Sequence, residues 1–205
     1  MDIVLATRNM KKIEEISRIL NGLDVTLLTL RDFPSCPEVE EDADTFQGNA
    51  VKKALEIAKC TGKPAVADDS GLEVYALDNA PGVLSARYAG ENAKDIDNID
   101  KLLKKMDGLP DGKRGARFVC CIALADPGDG GRTVTFSGFV EGVIGRELKG
   151  RLGFGYDPVF YPAGQGVGSQ RTFAEMDPDE KDALSHRKAA LEQLKVHLQA
   201  CVFKI

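Results

Sequence analysis

Two adjacent carboxylates, Asp68 and Asp69, interrupt an otherwise apolar stretch over residues 66–74, and no other feature of the sequence constrains the fold as strongly. Strand-forming residues stand on both sides of the pair, and Gly71 supplies the backbone freedom that a sharp bend requires. Neighbouring side chains in a strand point to opposite faces, so both acids can face inward only if the chain bends there. The stretch therefore predicts a strand that delivers its acids to a turn, with one acid facing a cleft and the other supporting it.

The chemistry of this acidic pair leaves two interpretations open. Two carboxylates side by side repel each other and lose hydration when they are buried, unless a cation or hydrogen-bond donors lie between them. A metal site would supply the cation, whereas a polar turn capped by Asp and Ser side chains would need none. The residues by themselves favour neither interpretation.

The composition limits the class of protein. The chain has 205 residues, enough for one domain with a sizeable core, and its net charge of -5 argues against a general nucleic-acid binder. No segment approaches the length and apolar character of a membrane span. The five cysteines are an odd number without C-x-x-C spacing, which predicts neither a disulfide framework nor a structural zinc site. We therefore expect a cytoplasmic protein in a reducing compartment.

The N-terminal region has a loop that could bind anions. Residues 3–6 are typical of a buried strand, and Ile13, Ile16 and Leu20 then recur at helical spacing. The intervening loop carries a hydroxyl, an amide and several cations at a helix start, where unpaired amides and the helix dipole attract anions. The loop alone favours a simpler interpretation, in which Thr7 or Asn9 caps the helix and the lysines are solvated.

Acidic residues are concentrated over residues 38–44, directly before a predicted helix whose apolar stripe covers residues 46–58 and stops near Gly62. The helix dipole favours acids at that end, so an ordinary solvated cap accounts for most of them. One or two of these acids could instead point at a cation.

A glycine-dense loop stands out in the second half of the chain. The sequence first predicts a helix over residues 91–106 and two strands, 117–125 and 133–143, joined by a hairpin turn. The loop over residues 150–158 then holds Phe154 and Tyr156, which suit stacking on a planar ring, and Asp157, which can accept ring N–H hydrogen bonds. Two aromatic residues that close the edge of a core would give the same pattern.

His186 and Arg187 fall in the first turn of the C-terminal helix, for which Ser185 is the predicted N-cap. Cations at that end oppose the helix dipole unless an acid or an anionic ligand compensates them. This local conflict favours a functional role for the pair.

Taken together, several segments closely resemble the inosine triphosphate pyrophosphatase family, which hydrolyses non-canonical purine nucleoside triphosphates. They occur in order over nearly the whole chain, and their combination is far more specific than any one of them. The segments are residues 7–12, 68–72, 81–88, 154–158 and 183–187. Two positions depart from the family pattern, because Arg8 stands where relatives often have Gly, and Gln170 and Arg171 replace the usual Gly-Lys.

The resemblance implies a fold and an activity. The fold would be α/β, with an elongated two-lobed mixed sheet flanked by helices around a central substrate cleft, so that residues 1–205 form a single bilobed domain. The activity would be Mg²⁺-dependent hydrolysis of ITP, dITP and XTP to the nucleoside monophosphate and pyrophosphate, which cleanses the nucleotide pool. Family members usually form homodimers, so we expect a homodimer without nucleic-acid or membrane partners.

The resemblance also implies roles for individual residues. Asp69 would be the general base and a metal ligand, and a second metal ligand would come from Glu40 or Glu41, between which the sequence does not decide. The loop over residues 7–12 would hold the triphosphate, and the other residues would line the nucleotide. The residues expected to bind substrate are Thr7, Arg8, Asn9, Met10, Lys11, Lys12, Ser70, Phe154, Gly155, Tyr156, Asp157, Lys181, His186 and Arg187.

Two rival functions remain at this point. A related pyrophosphatase for modified pyrimidines would use similar acids with a different base pocket, and turnover of pyrimidine substrates would identify it. A non-catalytic nucleotide-binding regulator would require the acids to be lost or misplaced, whereas both acidic segments are present.

Overall fold

A six-stranded mixed sheet is the centre of the fold in the computed structural model, which describes residues 1–166 and 170–202. Its strands are β1 (Asp2–Leu5), β2 (Thr26–Thr29), β3 (Ala65–Val74), β4 (Gly115–Asp126), β5 (Arg132–Ile144) and β6 (Phe160–Pro162). Their order is β2-β1-β3-β4-β5-β6, with β1 parallel to β2 and β3, and β5 antiparallel to β6. The predicted α/β class, a mixed sheet flanked by helices, is confirmed.

The helices follow the apolar periodicity of the sequence. They are α1 (Met10–Ile19), α2 (Phe46–Thr61), α3 (Asp95–Lys105), α4 (Pro178–Leu184) and α5 (His186–Val202). The Thr45 side chain caps α2 by accepting from the Gly48 N–H, and Gly62 ends this helix in the left-handed conformation, with φ of 65°. None of the helices in the described part of the chain has the length and apolar character needed to cross a membrane.

β3 is one continuous strand, and the prediction of a turn at Asp68 and Asp69 is wrong. The strand runs through both acids and through Gly71 without a break. It lies inside the sheet, with β1 on one side and β4 on the other. Because both of its faces are covered, Asp68 and Asp69 are 1% and 5% exposed although they point in opposite directions.

The chain forms two compact units, each with its own core. The first unit comprises Met1–Asp69, Cys120–Gly138 and the C-terminal segment from Arg187, and the second comprises Ser70–Val119 and Phe139–His186. Apolar residues of β1, α1 and α5 form the core of the first unit. Aromatic residues form much of the core of the second, among them Phe118, Phe160 and Phe173. The single bilobed domain stays a prediction.

Cys36 and Cys60 form a disulfide, which the spacing of the cysteines did not predict. Their Sγ atoms are 1.97 Å apart, and the two residues are separated by 24 positions in the sequence. Cys36 follows β2, whereas Cys60 lies in the last turn of α2. Such a pair gives no local spacing signal, because tertiary folding alone brings its members together.

Candidate active site

Asp68 lies in a buried ionic network of the first unit. Its Oδ2 accepts hydrogen bonds from Arg187 Nε at 3.0 Å and from Cys120 Sγ at 3.1 Å, and its carboxylate pairs with the Lys12 ammonium. Burial raises the pKa of Asp68, but the positive charges of Arg187 and Lys12 outweigh burial and hold this pKa well below its usual value. Asp68 is therefore ionised at neutral pH.

Arg187 joins three elements through one guanidinium group. It is 2% exposed and donates hydrogen bonds to Asp68 of β3 and to Glu15 of α1. A cation in the first turn of α5 is unfavourable beside the positive end of the helix dipole, and the negative charges of these two acids offset that effect. The contacts orient Asp68, and the predicted contact between Arg187 and the nucleotide stays a prediction.

Asp69 occupies the opposite face of β3, where α2 covers it. Its Oδ2 accepts a hydrogen bond from Asn49 Nδ2 at 3.0 Å, and its Oδ1 lies 3.8 Å from Lys53 Nζ. Lys53 Nζ also donates to the Asp68 carbonyl oxygen and to Glu41 Oε1, each at 2.7 Å. Burial raises the pKa of Asp69 to about 6, with Lys53 opposing this shift and the charge of Glu41 adding to it. A carboxyl group that titrates close to neutral pH suits proton transfer.

The two neighbouring carboxylates thus have different chemistry. Burial acts on both, but only Asp68 meets two cations close enough to outweigh it. Neighbouring titratable groups whose environments move their pKa values apart can divide roles in a reaction. The surroundings of Asp68 suit a supporting role, and those of Asp69 suit proton transfer.

Glu41 fits a metal ligand better than Glu40. The Glu41 side chain is 33% exposed, and its charge helps raise the pKa of Asp69, whereas Glu40 is exposed and its charge acts on Lys52. A cation would relieve the repulsion between Glu41 and Asp69, and Mg²⁺ needs only one or two carboxylates when phosphates complete its shell. No set of three or more His, Cys, Asp or Glu side chains within residues 1–166 and 170–202 could hold a metal.

The N-terminal loop caps α1 as the simpler interpretation of the sequence expects, and its role in anion binding stays a prediction. Asn9 Oδ1 caps α1 by accepting from the N–H groups of Lys11 and Lys12 at 3.0 and 3.2 Å, and Thr7 Oγ1 accepts from the Asn9 N–H at 3.2 Å. The Lys12 side chain is not solvated, because it pairs with Asp68. The remaining residues of the loop are exposed, namely Arg8, Met10 and Lys11.

Phe154, Asp157 and Lys181 form a cluster in the second unit. Asp157 Oδ2 accepts hydrogen bonds from the Phe154 N–H at 2.8 Å and from Lys181 Nζ at 2.7 Å. Lys181 Nζ lies 4.8 Å from the centre of the Phe154 ring, a cation–π distance. Gly153 and Gly155 have φ values of 72° and 60°, a conformation that favours glycine. Polar contacts therefore fix the loop at Phe154, whereas Tyr156 belongs to the core of the unit, as the core-edge interpretation expects for it.

The other residues of the second unit that were predicted to bind substrate are His186, Tyr156 and Ser70. The His186 ring stacks on Phe118, with 4.9 Å between ring centres and 10° between planes. Tyr156 is 3% exposed, and its hydroxyl donates to the Ser85 carbonyl oxygen at 3.0 Å. Ser70 is half-buried on β3.

Sequence reasoning missed Asn49 and Lys53, the two α2 residues that contact Asp69. They are four positions apart and lie on the same buried face of the helix, among apolar residues such as Ala50 and Ala54. A polar pair at this spacing inside an apolar stripe is a signal that could have found them. Glu15 and Cys120 gave no comparable signal, since distant parts of the chain supply their partners.

Comparison with known proteins identifies relatives over nearly the full length. The model of the Ham1 family matches residues 3–197. The chain is 53% identical over 196 residues to a dITP/XTP pyrophosphatase from Geobacter sulfurreducens, which covers 96% of this chain and 96% of that protein. It is 46% identical over 198 residues to a dITP/XTP pyrophosphatase from Coxiella burnetii, which covers 97% of this chain and 96% of that protein. The resemblance predicted from the motifs is confirmed.

Solved structures share the fold. A HAM1 protein from Coxiella burnetii superposes with a TM-score of 0.87 at 46% identity, covering 98% of this chain and 99% of that chain. A nucleoside-triphosphatase, dITP/XTP pyrophosphatase, from Mycobacterium abscessus superposes with a TM-score of 0.76 at 47% identity, covering 95% of this chain and 98% of that chain.

Proposed function

The chain belongs to the Ham1 family, and from this premise we propose that it hydrolyses dITP, XTP and ITP to the nucleoside monophosphate and pyrophosphate with Mg²⁺. Close relatives named dITP/XTP pyrophosphatases support the hydrolase class and the purine substrates. The observation that carries the mechanism is the placement of the two acids: Asp68 contacts the cations Arg187 and Lys12, whereas Asp69 faces α2 on the other side of β3, and their pKa values shift in opposite directions.

Hydrolysis between the α- and β-phosphates needs a positioned water and a base that takes its proton. Asp69, with its pKa raised to about 6, is mostly ionised at neutral pH and still basic enough to accept that proton. Asn49 and Lys53 hold the Asp69 carboxylate in place. When bound, Mg²⁺ would neutralise charge on the phosphate oxygens, and Glu41 and Asp69 are the residues that would hold it.

The triphosphate would be neutralised by side chains of the N-terminal loop. Asn9 already accepts hydrogen bonds from two amides of the helix start, so backbone donors contribute less than an uncapped helix end would. The exposed cations Arg8 and Lys11 therefore supply most of the positive charge that the loop offers to phosphates.

The nucleobase would bind to the loop over residues 153–157. The Phe154 ring offers a stacking surface, and Lys181 and His186 are donors for the 6-oxygen of the purine. The 6-amino group of adenine would leave such a donor unpaired, at a cost of about 1–3 kcal/mol. ATP would accordingly be a poor substrate.

A cytoplasmic homodimer is part of the same proposal. Cys60 is exposed, so reductants in the cytoplasm have access to the disulfide. A disulfide that such reductants open is compatible with a reducing compartment. Sedimentation velocity of the purified chain would show a species of twice the monomer mass, and a monomer at all concentrations would remove the homodimer from the proposal.

Comparing dITP, ITP, XTP, GTP and ATP at one Mg²⁺ concentration tests the function. We expect pyrophosphate release from dITP, ITP and XTP, slow release from ATP, and loss of release when the metal is chelated. GTP shares the 6-oxygen, so its rate shows whether the site also discriminates at the 2-position of the purine. Preferential turnover of ATP, or release of single phosphates, would contradict the proposal.

A further inference from the structure

The predicted nucleobase loop is attached to a helix that has no assigned role. The Gly155 N–H donates a hydrogen bond of 2.7 Å to Asp95 Oδ2, across 60 positions of sequence. Asp95 is the first residue of α3, and its side chain is exposed. This contact therefore belongs to the loop and not to the core of the unit.

A second contact joins the same loop to the segment before α3. The Tyr156 hydroxyl donates to the Ser85 carbonyl oxygen at 3.0 Å, and Ser85 Oγ accepts from the Leu72 N–H at 2.9 Å. Asn98 of α3 fixes this segment in turn, since its side chain donates to the Ala86 carbonyl oxygen at 3.0 Å. The segment over residues 82–98, which contains the Ser85-Ala86 motif, is one support for the loop.

Two carboxylates hold consecutive amides of the loop. Asp157 accepts from the Phe154 N–H at 2.8 Å, and Asp95 accepts from the Gly155 N–H. Hydrogen bonds to ionised acceptors are roughly twice as strong as neutral ones. Gly155 has φ of 60° and no neighbouring atom within 4 Å of an added Cβ, so side-chain packing does not hold this residue.

We propose that Asp95 is a positioning residue for nucleobase binding. It holds the Gly155 amide and thereby fixes the position of the Phe154 ring. This inference rests on the proposed function, because it takes the loop as the nucleobase site. Loss of the contact loosens the loop without touching Asp69, so it weakens substrate binding and base selectivity and leaves the chemical step intact.

Three variants test this role. Asp95→Ala removes the acceptor, Asp95→Asn keeps an amide oxygen there, and Asp100→Ala removes another exposed acid from the same helix without touching the capping box that Asp97 forms at its start. For Asp95→Ala we expect KM for dITP to rise about tenfold, kcat to stay within about twofold, and the preference for dITP over ATP to fall. Asp95→Asn recovers most of the binding, and Asp100→Ala matches the parent chain.

Hydrogen exchange of the Gly155 amide gives a readout that does not depend on activity. We expect exchange about tenfold faster in Asp95→Ala than in Asp100→Ala. Equal exchange and equal KM in these two variants would overturn the inference even if the parent chain releases pyrophosphate. A parent chain without that activity would instead defeat the proposed function, and the exchange rates would still decide whether Asp95 positions the loop.

Discussion

At the residue scale, the covered faces of β3 give two neighbouring aspartates different chemistry. Burial raises the pKa of each carboxyl group, so the charges on the two faces decide the outcome. Asp68 faces Arg187 and Lys12 and remains a carboxylate, whereas Asp69 faces Asn49 and Lys53 and titrates at about 6. The alternation of a strand thus places two neighbouring acids in different electrostatic surroundings.

Replacing the buried guanidinium tests the support of Asp68. We expect Arg187→Met to lower the free energy of unfolding by about 3–5 kcal/mol, because Asp68 and Glu15 would stay buried without their shared partner. Urea unfolding followed by circular dichroism measures the change. Arg146→Met is the control, since Arg146 pairs with Asp111 on the surface, with side chains 57% and 87% exposed. Equal losses in both variants would refute the role of the buried pair.

At the element scale, periodicity predicted the helices well, because their apolar faces pack directly on the sheet. The predicted stripe over residues 46–58 lies in α2, and the C-terminal helix begins directly after Ser185 as expected. The prediction of a turn in β3 was wrong. The strand is continuous because it pairs with β1 on one side and β4 on the other, and no local sequence pattern shows which strands will be its neighbours.

The same limit applies to the site. Local motifs predicted roles for Asp69, Lys12 and the aromatic loop. Asn49 and Lys53 contact Asp69, which lies 20 and 16 positions further along the chain. Asp95 contacts Gly155, which is 60 positions away. Only the folded chain brings such partners together.

Reducing the Cys36–Cys60 disulfide should destabilise the first unit. The bond closes a loop between residues separated by 24 positions, for which the chain-entropy model gives about 3 kcal/mol. We expect dithiothreitol to lower the free energy of unfolding by about that amount. The double variant Cys36→Ser, Cys60→Ser should match the reduced chain and be insensitive to dithiothreitol. A parent chain that does not respond to the reductant would contradict the prediction.

A methyl group at Gly153 should disturb the aromatic loop. Its Cβ would lie 2.1 Å from Asp157 Oδ2, and φ at this position is 72°. We therefore expect Gly153→Ala to displace the carboxylate that holds Phe154 and Lys181, and to raise KM for dITP about tenfold or more. Gly112→Ala is the matched control, because no atom lies within 4 Å of its added Cβ. Similar KM values for the two variants would exclude the loop from nucleobase binding.

At the scale of the whole molecule, the two units supply different parts of the proposed reaction. The first contains the acids that would perform hydrolysis and the cations that would neutralise phosphate, and the second contains the aromatic loop with its polar supports. Each unit has its own core, so a substitution that affects base selectivity need not affect the chemical step.

The most direct test of the central claim is ³¹P NMR of the products formed from dITP by the parent chain and by Asp69→Asn. Asparagine keeps the size of the side chain and can still accept the hydrogen bond from Asn49 Nδ2, but it loses the charge that faces Lys53 and cannot take a proton from water. We predict that the parent chain yields pyrophosphate and the monophosphate, and that Asp69→Asn binds dITP with turnover reduced by about a thousandfold or more. Unchanged turnover in Asp69→Asn, or inorganic phosphate as the first product of the parent chain, would contradict the account.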